Sequence, residues 1–159
     1  MEQIIILGLG NILYGDEGFG VLLAQRLYAH WDFPVNVEVV DGGTQGQTLL
    51  TFVERADRLL VLDAVDFGLE PGAILLRDNV PAYLTAQKIG PHQNSFSEVM
   101  GLAALRGTAP AHCALIGVQP AAMNLAAPLS PSVSESFDEA QSMALDILRQ
   151  WGVAPNLRA

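Results

Sequence analysis

Residues 3–10 have the sequence Gln-Ile-Ile-Ile-Leu-Gly-Leu-Gly, and this stretch decides the fold that we expect. An almost continuous run of aliphatic residues, without polar alternation, is typical of a strand that is buried on both faces. Such strands belong to parallel sheets that carry helices on each side. We therefore place a first strand at Gln3–Leu9 and expect an α/β fold.

The chain then alternates between helix and strand patterns. Apolar residues recur at helical spacing after Asp16, a good N-cap residue, and predict a helix over Gly18–His30. Later patterns predict a strand at Val35–Val40, a helix from Thr44 to Glu54 that begins with a Thr44–Gln47 capping box, and a strand at Arg58–Ala64. This order favours parallel strands with right-handed crossovers. We expect the strand order 2-1-3 at the centre of the sheet, with the loops after strands 1 and 3 side by side.

The fourth strand breaks the parallel pattern. Only the eight residues Val65–Gly72 separate the third strand from a fourth at Ala73–Arg77, and a parallel crossover needs about a dozen or more. The fourth strand should therefore run antiparallel. Further patterns predict a helix from a Ser95–Glu98 capping box to Arg106, a strand at His112–Val118, a helix from a Ser132–Glu135 capping box to Trp151, and long loops at Asp78–Gln93 and Gln119–Pro131. The expected fold is one α/β domain over residues 1–159, with a five-stranded, mostly parallel twisted sheet, one antiparallel strand and helices on both faces.

The composition narrows the possible classes of function. The 159 residues include 17 acidic and 8 basic side chains, and the resulting net charge of -9 repels phosphate backbones and anionic lipids. We expect no nucleic acid partner and no membrane insertion, since no segment approaches the roughly 20 apolar residues of a span. The apolar run Ile4–Leu7 is too short for a signal peptide core, so we expect a cytoplasmic protein. The single cysteine, Cys113, allows neither an internal disulfide nor a thiolate cage and is expected to be buried.

Acidic residues follow the first three predicted strands. In open α/β sheets, ligands bind beyond the carboxyl ends of the strands, and Glu17, Asp41 and Asp63 all belong to that edge. Asp63 ends the buried run Leu59–Leu62 and must turn toward a polar partner or a cation. The conservative alternative for each acid is a helix cap or a solvated loop residue, and Asp66 is a looser alternative to Asp63.

One histidine stands apart from the other two. His30 lies in the last turn of a predicted helix, where a cation complements the helix dipole, and His112 lies at the edge of a strand. His92 instead occupies a loop directly before a helix whose start belongs on the same edge as the acids. With Glu17 and Asp63 it would form a three-ligand site with positions open for water or substrate. These ligand types do not choose between zinc, nickel and iron.

The glycines after the first strand match a dinucleotide-binding fingerprint only weakly. Leu13 occupies the position of the third glycine, and Asp41 lies 31 residues beyond Gly10. A ribose-binding acid is expected at about 20 residues. A dinucleotide-dependent oxidoreductase is therefore a distant alternative.

Several short motifs are spread over nearly the whole chain. They are GLGNIL at 8–13, DEG at 16–18, DGGT at 41–44, LDA at 62–64 and HQ at 92–93. Together they resemble the maturation endopeptidases of nickel-iron hydrogenases. The stretch HQNSFSEV at 92–99, followed by GVQP at 117–120, most resembles the branch that serves uptake-type, membrane-associated hydrogenases.

This resemblance implies a ligand set and a substrate. Glu17, Asp63 and His92 would be the three metal ligands. The protein would remove a short C-terminal extension from the hydrogenase large-subunit precursor once nickel has been inserted. The resemblance also implies a loop beside the cleft that helps to select the substrate, formed by Asp41, Gly42, Gly43 and Thr44.

Two roles for the three ligands remain open at this point. They could hold a catalytic metal such as zinc that activates water, or they could contact nickel that the precursor supplies. The expected partner is the large-subunit precursor, and we expect the protein to be a monomer. The alternative from another class is a nickel chaperone or docking factor that uses the same ligands without cutting.

Overall fold

The computed structural model describes residues 1–43, 46–78, 91–121 and 124–159, with the backbone alone for 46–47 and 91–95. The strands are β1 (Ile4–Leu9), β2 (Trp31–Asp32), β3 (Val37–Gly43), β4 (Arg58–Ala64), β5 (Ile74–Arg77), β6 (His112–Val118) and β7 (Asn156–Leu157). The α-helices are α1 (Phe19–His30), α2 (Leu50–Arg55), α3 (Pro91–Leu105), α4 (Pro131–Glu135) and α5 (Phe137–Gln150). Short 3-10 helices lie at Gly15–Gly18 and Gly46–Leu49.

Five strands form the central sheet, in the order β3-β1-β4-β6-β5. β1 pairs in parallel with both β3 and β4, and β4 pairs in parallel with β6. β5 pairs antiparallel with β6, as the short connection before it requires. The predicted fold class is confirmed. The predicted order of strands 2-1-3 corresponds to β3-β1-β4. These three strands lie at one edge of the sheet rather than at its centre.

The core consists of two apolar layers, one on each face of the sheet. Ile4 and Ile6 pack into a cluster with residues of α1 and α5, whereas Ile5 and Leu7 pack into a cluster with residues of α2 and α3. All six residues of β1 are buried, which explains why this strand has no polar alternation. Cys113 is buried in the second layer, as predicted.

The first residues of two helices, α3 and α4, differ from the capping residues that the sequence predicted. Ser95 is not a cap, because α3 begins four residues earlier at Pro91. Ser132 is not a cap either: α4 begins at Pro131, whose fixed φ suits the first helical turn, and Ser130 is the N-cap residue. Thr44, the third predicted cap, lies outside the described residues. The predicted last helix is divided into α4 and α5.

The short strands β2 and β7 were not predicted from the sequence. β2 and β7 pair antiparallel through Trp31↔Leu157 and Asp32↔Asn156, and two-residue strands are too short to show a period. Within the ranges that the structure describes, no helix combines the length and apolar character needed to cross a membrane.

The amino end of α1 lies directly on the carboxyl ends of two strands. A β-carbon at Gly20 would lie 2.1 Å from the carbonyl oxygen of Leu62 in β4 and 2.6 Å from that of Leu9 in β1. Only a residue without a side chain allows this approach. The contact brings the 3-10 helix that precedes α1 down onto the edge of the sheet.

We expect Gly20→Ala to lower the free energy of unfolding by at least about 1–3 kcal/mol, because the added methyl group must displace backbone atoms. Gly101→Ala in α3 is the matched control, since a β-carbon there would meet nothing within 4 Å. Alanine at that helical position should leave the stability unchanged or raise it by up to about 1 kcal/mol. Urea unfolding of both variants measures the difference, and equal losses would contradict the close contact at Gly20.

Candidate active site

The carboxyl edge of the sheet gathers acids from three adjacent strands. Glu17 lies in the 3-10 helix after β1, Asp41 lies near the end of β3, and Asp63 is the penultimate residue of β4. Because β1 is hydrogen-bonded to both β3 and β4, these positions are neighbours. The structure thus places the three acids on the edge where the sequence predicted them.

Gly10 is the point at which Glu17 and Asp63 approach each other. A β-carbon built on Gly10 would lie 1.9 Å from the carbonyl oxygen of Glu17 and 3.8 Å from Oδ1 of Asp63. The backbone at Gly10 also has a φ of +120°, a conformation that L side chains rarely adopt. Glycine here lets the Glu17 turn fold back over the end of β1, beside the Asp63 carboxylate.

Asp63 is held in a buried position. Its side chain is 4% exposed, and its Oδ1 accepts a hydrogen bond of 2.8 Å from the backbone N–H of Ala64. Parallel pairing with Gly117 of β6 fixes the backbone at this position. A carboxylate in such surroundings depends on polar partners or a cation for its stability.

His92 lies in the first turn of α3 and not in a loop, so its predicted local structure was wrong. Its side chain lies outside the described part of the chain. The carboxyl end of α3 is tied to the amino edge of the sheet, because Arg106 forms an ion pair with Glu54, shortly before β4 begins at Arg58. At a rise of about 1.5 Å per residue, the helix extends back toward the opposite, carboxyl edge. The backbone of residue 92 therefore lies toward the edge that carries Glu17 and Asp63.

The predicted substrate loop is the end of β3 and is tied to the Gly10 turn. Oδ1 of Asp41 accepts a hydrogen bond from Gly43 N–H at 3.1 Å, and Oδ2 accepts one from Nε2 of Gln25 at 3.3 Å. Gly10 N–H in turn donates to the carbonyl oxygen of Gly43 at 3.0 Å. A β-carbon at Gly42 would lie 2.8 Å from Cδ1 of Leu7 and 3.0 Å from the carbonyl oxygen of Gly8, so a larger residue there would have to displace its neighbours. Thr44 lies outside the described residues.

Asp16 has a role that the sequence analysis missed. It was predicted to cap α1, but the N-cap of that helix is Gly18, and Asp16 is completely buried. Its Oδ1 accepts a hydrogen bond from Ser130 N–H at 2.7 Å, and its Oδ2 accepts one from Ala121 N–H at 2.8 Å. The partners are more than 100 residues away in sequence, so no local pattern predicts them.

Gln119 organises the loop that follows Asp63. Its Oε1 accepts hydrogen bonds from Phe67 N–H at 2.8 Å and Leu69 N–H at 3.1 Å, while its Nε2 donates to Oδ1 of Asp66 at 3.1 Å. The Gln119 amide, together with Gly68 N–H, holds the pKa of Asp66 below its usual value. Asp66, the looser alternative to Asp63, is thus a loop-stabilising acid.

A mostly parallel α/β sheet with acids at its carboxyl edge defines a class of proteins that bind their ligands at that edge. A family profile described as hydrogenase maturation protease (HycI) matches residues 21–147. The hydrogenase expression/formation protein HupD of Bradyrhizobium diazoefficiens is 43% identical over 161 residues, which cover 99% of this chain and 84% of that protein. HupD of Thiocapsa roseopersicina is 45% identical over 159 residues, which cover 98% of this chain and 72% of that protein.

A solved structure agrees with these relatives. The hydrogenase maturating endopeptidase HybD from E. coli superposes with a TM-score of 0.93 at 32% identity, covering 98% of each chain. The chain belongs to the hydrogenase maturation protease family. Its similarity to the HupD proteins confirms the predicted uptake-type branch.

We expect Gly10→Ala to disturb the candidate site, because the new methyl group would collide with the carbonyl oxygen of Glu17 and displace that turn. Proteolytic activity should fall about 10-fold or more, since misplacement of about 1 Å can cost about 100-fold. Amide hydrogen exchange should rise in residues 11–18. Gly107→Ala is the matched control: Gly107 also has a positive φ, of +72°, but a β-carbon there meets nothing within 4 Å. If both variants retained full activity, the Gly10 turn would not position the site.

Proposed function

We propose that this protein is an endopeptidase that removes the C-terminal extension from the large-subunit precursor of a nickel-iron hydrogenase. We further propose that Glu17, Asp63 and His92 contact nickel that is already lodged in the precursor. The observation that carries the proposal is the meeting of the Glu17 turn with the buried Asp63 carboxylate at Gly10. Membership of the hydrogenase maturation protease family supports the reaction and the substrate. We expect the protein to act as a monomer in the cytoplasm.

The chemistry of the donor set fits a divalent transition metal. Carboxylate oxygens and an imidazole nitrogen are suitable ligands for nickel and for zinc. Asp63 is buried and Glu17 is partly exposed, so a cation placed between them would be reached from the solvent side. If both carboxylates contacted one divalent cation, its charge would offset the repulsion between them.

If the precursor supplies the nickel, this protein needs only some of the ligands that the metal requires. Structural metal sites in proteins commonly have four protein ligands, whereas the proposed set has three. Groups of the precursor that already hold the nickel would complete its coordination. The enzyme would then recognise loaded precursor and ignore the unloaded form, because only loaded precursor offers a cation to the two carboxylates.

The role of this chain is chiefly one of positioning. The lack of a side chain at Gly10 and Gly20 allows the Glu17 turn to lie against the sheet, and the Ala64 N–H orients the Asp63 carboxylate. Side chains fixed in this way lose little freedom when the substrate binds, which favours a defined placement of the scissile segment. The Asp41–Gly43 strand end, bonded to Gly10, lies beside this point and is proposed to contact the precursor.

Removing any one ligand should abolish processing. We expect Glu17→Gln, Asp63→Asn and His92→Ala each to slow cleavage of nickel-loaded precursor by about 100-fold or more while the fold is retained. Mass spectrometry of the precursor C-terminus measures the cleavage, and circular dichroism checks the fold.

Two further variants serve as controls for the ligand substitutions. His30→Ala and Cys113→Ala should still process, because His30 ends α1 and Cys113 packs in the core. Wild-type rates in the three ligand variants would disprove the proposed site. Binding of loaded precursor by the wild-type protein, without any shortening, would instead support a nickel chaperone or docking factor.

A metal-exchange experiment separates the two roles of the ligands. The enzyme is stripped with a chelator, the chelator is removed, and nickel-loaded precursor is offered in metal-free buffer. Retained cleavage is the expected result, since the substrate brings the nickel. Loss of cleavage that added zinc restores, while the precursor remains nickel-loaded, would show that the enzyme holds its own catalytic metal.

A further inference from the structure

The segment that follows β6 is bonded to the acid-bearing turn before α1. Asp16 precedes Glu17 directly, and its buried carboxylate accepts hydrogen bonds from the backbone of both Ala121 and Ser130. The hydroxyl of Ser130 also donates to Oδ2 of Asp16 at 2.8 Å. The Asp16 carboxylate therefore binds this segment at two places, one in residues 119–121 and the other in residues 124–130. Ala126 N–H adds a hydrogen bond of 2.6 Å to the carbonyl oxygen of Leu13.

The first residues of the same segment are bonded to the loop after Asp63. The side chain of Gln119 contacts Asp66, Phe67 and Leu69, as described above. Its backbone accepts a hydrogen bond from Gly72 N–H and donates one to Ala73 C=O, each of 2.8 Å. Gln119 is buried, with only 8% of its surface exposed. The loop that leaves Asp63 is thus held at several points along its length.

We propose that Asp16 and Gln119 are positioning residues that hold Glu17 and Asp63 in a fixed relation through residues 119–121 and 124–130. This inference rests on the proposed function, in which Glu17 and Asp63 contact the same nickel. Neither positioning residue needs to touch the substrate. Asp16 ties this segment to the turn that carries Glu17, and Gln119 ties it to the loop that Asp63 introduces.

The arrangement of donors makes Asp16 sensitive to a substitution that conserves its shape. Each carboxylate oxygen of Asp16 faces a backbone N–H, that of Ser130 or that of Ala121. Asparagine can offer an oxygen to only one of them, and its NH₂ group would face the other N–H donor. In either orientation of the amide, Asp16→Asn therefore loses one of the two backbone hydrogen bonds and places two donors against each other, which weakens the tie.

A buried tie of this kind could serve stability alone, and the chain offers a matched control. Thr108 donates from its hydroxyl to the carboxylate of Glu54, as Ser130 does to Asp16. Thr108 lies shortly before β6, at the amino edge of the sheet, away from Glu17 and Asp63. Ser130→Ala and Thr108→Ala therefore each remove one hydroxyl-to-carboxylate bond, but only Ser130→Ala removes it beside the site.

The test measures kcat and KM for cleavage of nickel-loaded precursor at a temperature where every variant is folded. Ser130→Ala should lower kcat about 10-fold and Asp16→Asn about 100-fold, with smaller changes in KM, because misplaced groups lose transition-state contacts. Gln119→Leu should resemble Asp16→Asn. Ser130→Thr keeps the hydroxyl and should restore kcat to within about twofold of wild type, as should Thr108→Ala. Equal kcat values for Ser130→Ala and Thr108→Ala would overturn the proposal.

Hydrogen exchange supplies a readout that does not depend on cleavage. If Asp16→Asn loosens the tie, exchange should rise in residues 11–18 and in residues 119–121 and 124–130, whereas Thr108→Ala should change none of them. Unchanged exchange in residues 11–18 would overturn the proposal, and so would wild-type kcat in Asp16→Asn. Should Asp16→Asn fail to fold, Ser130→Ala and Ser130→Thr decide the matter by the same measurements. Failure of the wild-type protein to shorten the precursor would instead contradict the proposed function.

Discussion

The candidate site depends on close contacts between backbone atoms, which bring helix α1 and the Glu17 turn against the ends of the strands. Gly20 allows α1 to contact the carbonyl oxygens at the ends of β1 and β4, and Gly10 allows the Glu17 turn to cross the end of β1. A side chain at either position would need space that backbone atoms already occupy. The position of the Glu17 backbone beside the Asp63 carboxylate therefore requires that Gly10 and Gly20 lack a side chain.

The adjacent acids Asp16 and Glu17 differ in how deeply they are buried. Asp16 is enclosed and satisfied by hydrogen bonds from Ser130 and Ala121. Glu17 is partly exposed, in the same 3-10 helix. A buried carboxylate uses its charge in strong hydrogen bonds to donors of the protein. A carboxylate that solvent can reach is able to bind a ligand instead. Burial and hydrogen bonding thus make Asp16 an anchor of the turn, whereas Glu17 is the acid of the pair that we propose to contact the substrate.

Similarity to the HupD proteins and to HybD places this arrangement in a family of proteases. Without the family, the acids at the carboxyl edge would leave several hydrolytic and metal-binding functions open, because a fold alone does not determine a reaction. Without the geometry, the family would not explain how neighbouring turns are held in place. The family therefore indicates the class of reaction, and the geometry at Gly10 and Asp63 indicates how the candidate site is held.

Local sequence patterns were sufficient to predict a mostly parallel sheet, its antiparallel fourth strand and the edge on which Glu17, Asp41 and Asp63 lie. These features follow from local signals, namely aliphatic runs, the short Val65–Gly72 connection and the positions of acids after strands. The start of α3, the burial of Asp16 and the hydrogen bonds of Gln119 became known only from the folded chain. Asp16 looked like a cap because its neighbours form a helix start, but its partners are Ala121 and Ser130. Hydrogen bonds between residues so distant in sequence have no period and no local motif, so they become visible only when the chain is folded.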